Sequence, residues 1–112
     1  MDKEGGFVNI PPLLYGSNYD YWKSRMSAFL KSIDSKTWMA VLKGWEYPVA
    51  LDADGNMKTV LKPEEEWSTA EDEVALGNSK AMNAFFNGVN NNMFRMIKQC
   101  IVAKDAWAQN YT

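Results

Sequence analysis

From Tyr19 to Ile33 the apolar side chains Tyr19, Trp22, Met26, Phe29, Leu30 and Ile33 return every three or four residues. At about 100° per residue they cover about one third of a helix circumference, so the spacing predicts an amphipathic helix with Asn18 as its N-cap. Lys23, Arg25 and Lys31 fall beside or outside that stripe. Asp34 or Ser35 can cap a second, shorter helix that turns Trp38, Val41 and Leu42 inward, and Gly44 stands where a left-handed C-cap would end it. The helical period is then lost. From Trp45 to Pro63, Pro48, the run Asp52-Ala53-Asp54-Gly55-Asn56 and the β-branched Thr59 and Val60 predict a hairpin-like loop with Val49 and Leu51 on one arm.

The period resumes at Ser68-Thr69-Ala70-Glu71, a capping box that opens a helix from Thr69 to about Asn87, with Gly88 as its stop. Val74, Ala81 and Phe85 share one side of it, and Met82 and Phe86 lie about a quarter-turn away. Gly77, Ala81 and Ala84 are small enough to admit a neighbouring helix, which puts this element at the centre of a bundle. Asn90 to Asn92 read as a turn and cap before a short helix from Met93 to about Cys100, with Phe94 and Ile97 inward. A last helix begins near Ala103 and carries Trp107 and Tyr111. Ahead of all these, Phe7 to Ile10 and Pro11-Pro12 hold an extended arm that leads into Leu13 and Leu14, and Gly16 closes a turn. The expected fold is all-α: a small bundle of about five helices in one domain over residues 1–112, with a hairpin-like insertion at about 45–66 and an extended arm over 1–17. A final helix so short is marginal by itself, and the chain reads as the front of a longer protein.

Composition narrows the function classes. Hydrophobic residues make up 46% and charged residues 23%, the balance of a folding chain rather than a disordered one. A net charge of −2 with dispersed basic residues argues against direct nucleic-acid binding by this segment. One cysteine, Cys100, and no histidine exclude disulfides and Cys/His zinc sites within the chain. No apolar run is long enough to span a bilayer, and a cytoplasmic protein without membrane contact is the expectation.

Candidate chemistry is sparse. The Asp52 to Asn56 run has the alternating oxygens of a calcium-loop opening, but Gly55 comes two places early and Pro63 stands where the closing glutamate belongs. Six carboxylates between Glu64 and Glu73 sit at a helix start, where negative charge offsets the helix dipole, and they have no basic partner in the run. Cys100 has no histidine to activate it. The chain is therefore expected to be no enzyme, with no catalytic residue, metal or cofactor. Trp22 and Trp38 belong to helical stripes and read as core. Trp45, Tyr47 and Trp67 flank the loop outside any stripe, compatible either with pinning the loop to the bundle or with lining a groove for a peptide strand.

The stretch Leu14, Gly16, Asn18, Tyr19 and Trp22 has the form Leu-x-Gly-x-Asn-Tyr-x-x-Trp, followed by Met26, Phe29, Leu30 and Ile33. Together with Trp38 to Trp45, Trp67-Ser68, Asn78 to Val89 with Phe85, and Ala103 to Trp107, this ordered set resembles the N-terminal Gag (capsid) region of plant copia-type LTR retrotransposon polyproteins. The resemblance implies a helical capsid-type domain that self-associates and contributes to virus-like particle assembly, with itself as the main partner, as a homo-oligomer when in the longer chain. The alternative is a Gag-derived adaptor module that binds a short peptide in an aromatic groove. Candidate interaction residues are Phe7, Ile10, Leu13 and Leu14 on the arm and Trp45, Tyr47 and Trp67 at the loop.

Overall fold

A computed structural model describes residues 10–14 and 18–109, with the backbone alone at 57–59. It is an all-α bundle of five helices with a small β-hairpin inserted: α1 Tyr19–Ile33, α2 Ser35–Lys43, β1 Val49–Leu51, β2 Met57–Leu61, a single 3-10 turn at Glu64–Glu66, α3 Thr69–Asn87, α4 Asn91–Ile97 and α5 Ala103–Trp107. Tyr111 and Gly16 lie outside the described residues.

The α1 stripe is the floor of the core. Trp22, Met26 and Leu30 are buried, and Tyr19, Phe29 and Ile33 pack against them from its edges. At its start, the Asn18 side-chain amide donates to the Leu13 carbonyl (3.2 Å) instead of capping the helix. Asp34 ends α1 with extended backbone and caps α2, where its carboxylate accepts from the Thr37 N–H (2.7 Å).

The buried side of α2 is Thr37, Ala40 and Val41, so the stripe is turned by about one residue from the expected Trp38, Val41 and Leu42. Leu42 is exposed and Trp38 half-buried. The cause is Gly77 on α3: a Cβ there would fall 2.6 Å from the Lys36 carbonyl oxygen, so the first turn of α2 lies with its backbone on α3 and presents its small residues. Gly44 ends α2 with φ 84° but ψ 179°, so the expected left-handed cap is replaced by an extended exit that only glycine adopts readily, and its N–H still donates to the Ala40 carbonyl (3.0 Å).

The capping box at the head of α3 is complete: Glu71 N–H donates to Ser68 Oγ (3.1 Å) and Ser68 N–H to the Glu71 carboxylate (2.8 Å). Burial on α3 begins at Gly77 and continues through Asn78, Ala81, Met82, Ala84 and Phe85. Val74, expected inward, is exposed, because the first two turns of α3 run beside the base of the hairpin and not beside the core. α4 stops at Ile97, short of Cys100; Ile97 is fully buried, whereas Phe94 is 37% exposed, its ring edge-on to Phe86 (5.3 Å).

α5 lacks a capping side chain of its own at Val102. Asn78, buried in the middle of α3, supplies it: its Oδ1 accepts from the Ala103 N–H (2.8 Å) and its Nδ2 donates to the Ile101 carbonyl (2.6 Å). One side chain thus satisfies two backbone groups and docks a five-residue helix that could not persist alone. Asn78→Ala is expected to lose about 1–2 kcal/mol, the cost of a lost helix cap, and to release α5 before the rest of the bundle melts. Hydrogen exchange would show this as early loss of protection at residues 103–107.

Candidate interaction surface

The arm residues divide. Leu14 is fully buried; its N–H donates to the Gly88 carbonyl (2.6 Å) and it forms a one-residue parallel bridge with Val89. The Pro12 carbonyl accepts from the Trp22 indole N–H (3.0 Å) and passes over Gly88, where a Cβ would fall 2.8 Å from it. Leu14, Asn18 and Trp22 therefore share one structural task, holding the arm on its own domain, and Leu14 is not available to a partner. Ile10 and Leu13 remain exposed, and Phe7 lies outside the described residues. Ile10 and Pro11 stand over a cavity of about 530 Å³ bounded by Phe29, Ile33, Lys80 and Ala84.

Lys80 is held at that cavity by Asp34, 2.7 Å away. The Lys80 hydrogen bond first, and the Thr37 hydroxyl second, lower the Asp34 carboxyl from 3.8 to about 2. Because the folded-state value lies below the unfolded one, this contribution is complete above about pH 4 and vanishes as pH falls from there to about 2. The wild-type chain should therefore lose more stability than Asp34→Asn across that interval and converge with it at the acid end, as acid titrations followed by circular dichroism would show. The pair is partly exposed, so solvent screens it and the difference is small.

At the opposite end, Trp45, Tyr47 and Trp67 close on one another, with ring centroids 5.6 Å apart for Trp45–Tyr47, 5.2 Å for Tyr47–Trp67 and 6.4 Å for Trp45–Trp67. The Trp67 indole N–H donates to the Lys62 carbonyl (3.0 Å), and Lys62 N–H to the Pro48 carbonyl (2.9 Å). This cluster clamps the base of the hairpin where it leaves and rejoins the bundle. Beside it lies an open groove of about 330 Å³ lined by Trp45, Pro48, Ala70 and Val74, with Glu46 and Glu71 at its rim. The Glu71 carboxyl is lowered first by the Ser68 backbone N–H and then by Lys62 at 2.9 Å.

Trp107, which the sequence places on the last helix and in the family pattern, is a hub. Its ring stacks near Phe85 (5.5 Å), tilts on Trp22 (6.0 Å) and meets Trp38 edge-on (5.9 Å), and the Lys23 ammonium sits 4.9 Å from its centroid. Four helices thus meet through one indole, and no local spacing signals that convergence.

The Asp52 loop is a polar turn: the Asp52 carboxylate accepts from the N–H groups of Asp54 and Asn56, both at 2.9 Å. Among the described residues no group of three His, Cys, Asp or Glu side chains could hold a metal ion, and no helix is long and apolar enough to cross a membrane. The Cys100 thiol is half-buried and pushed up, first by desolvation and then by Asp105. Fold and surface define a small helical-bundle domain with a clamped hairpin and a tethered arm. No protein-family model, curated protein or solved structure matches the chain.

Proposed function

We propose that this domain is a structural self-association module of a retrotransposon Gag-type shell protein. The observation that carries the reading is the apolar surface left over once the core is filled: Ile10 and Leu13 on the arm, Leu51, Val60 and Leu61 on the hairpin, and Met96 and Ile101 around α4 are all exposed. Exposed apolar side chains grouped on several separate elements fit contact with more than one neighbour, and closed shells are built from many weak repeated contacts. The ordered pattern from Leu14 to Trp107 supports the same reading through its resemblance to Gag.

Sedimentation velocity over a concentration series, with negative-stain electron microscopy at the upper end, tests it. Concentration-dependent growth in sedimentation coefficient is the expected result. A chain that remains a monodisperse monomer overturns it and favours the second reading, an adaptor that seats a peptide in the groove between Trp45, Pro48 and Val74.

A further inference from the structure

The hairpin carries apolar side chains on both of its faces. Val49 pairs with Leu61, so Leu61 shares a face with Val49 and Leu51, while Val60 points the other way. Leu51 is 60% exposed, Val60 61% and Leu61 56%. A two-stranded hairpin is marginal in water without a surface to pack on, and these strands pack chiefly on each other. Among the described residues, its ties to its own bundle are at its base: the aromatic clamp and the Lys62–Glu71 pair.

Charge says what covers it. Residues 45–73 hold nine Asp and Glu against two Lys, a net of −7, whereas the rest of the chain holds five against ten, a net of +5. Two hairpins meeting face to face would bring like charge together, which disfavours a symmetric contact. Of the basic residues on the bundle, Lys23 and Lys31 lie over their own Trp107 and Trp38 rings, and Arg25 donates to the Tyr21 hydroxyl (3.0 Å). Lys43, Lys104, Arg95 and Lys98 make no ion pair among the described residues; of these, Arg95 on α4 and Lys98 at its C-cap bracket Met96, with Ile101 three residues on, and these two apolar side chains are 45% and 68% exposed.

We infer that the hairpin of one copy docks on the α4 surface of a second copy, Leu51 and Leu61 covering Met96 and Ile101, with Glu64, Glu65 and Glu66 opposite Arg95 and Lys98. Each copy then offers two unlike surfaces, and such a head-to-tail contact repeats into a ring or an open array. This inference rests on the self-association reading and names the surfaces that perform it.

The test is sedimentation velocity on the full chain at low and moderate salt, with circular dichroism to verify folding. The residues changed are exposed, so the bundle is unaffected. The triple variant Glu64→Lys, Glu65→Lys, Glu66→Lys and the double variant Arg95→Glu, Lys98→Glu should each weaken association by about tenfold or more, and added salt should weaken the wild type. All five substitutions in one chain should restore association, because the reversed charges again face opposite partners. Leu51→Ser should weaken it without changing its salt dependence. If the wild type associates and the charge variants do so equally well, or the five-fold variant fails to recover, the docking surfaces are wrong while the self-association reading stands. A wild type that stays monomeric removes both.

Discussion

Replacing Phe85 with Ala is expected to lower the unfolding free energy by about 3–5 kcal/mol, the range for emptying an aromatic site in a packed core. Phe85 is fully buried in α3, and its ring stacks on Trp107, which in turn contacts Trp22 on α1 and Trp38 on α2. Removing the ring leaves a void between large, mutually wedged indoles that cannot close without moving α5. Phe29 is the comparison. It lies on the predicted core stripe of α1 but is half-buried beside the arm cavity, so Phe29→Ala should cost about 1–2 kcal/mol, below the value for burying a whole aromatic side chain. Urea denaturation with unchanged slopes would measure both. Equal losses at the two sites would mean that the arm cavity is filled in solution.

Gly77→Ala sets local preference against packing. Alanine is the better helix former by about 1 kcal/mol, and by propensity alone the change in mid-α3 should stabilise. The new methyl, however, would meet the Lys36 carbonyl oxygen at 2.6 Å, the Lys36 carbonyl carbon at 2.8 Å and the Thr37 nitrogen at 3.2 Å. These are backbone atoms of the first turn of α2, which cannot rotate away as a side chain would. α2 must lift from α3, separating Thr37 and Ala40 from the core and straining the Asp34–Lys80 pair. Overpacking outweighs propensity, and a net loss of about 2–3 kcal/mol is expected. A thermal melt in which Gly77→Ala gains stability would show that α2 and α3 are farther apart than described.

Five helices, their order, the hairpin between the second and third, and the capping box at Ser68 were legible in the chain, because period, caps and turn residues act within a few positions of one another. Which side of α2 faces inward was not, since that depends on how closely Gly77 lets Lys36 approach from forty residues away. The same holds for Val74 and Phe94, whose spacing is helical but whose neighbours are the hairpin base and the end of the bundle. The pattern Leu14, Asn18 and Trp22 was visible as a motif, yet its physical role emerged only when the Pro12 and Leu13 carbonyls were seen to be held by Trp22 and Asn18. Asn78 is the clearest case. Nothing near it in sequence marks a cap, because the helix it caps begins twenty-five residues later and reaches it only through the fold. Local chemistry chose the elements. Their facing, and the surface left uncovered, came from steric and hydrogen-bond partners that only the folded chain brings together.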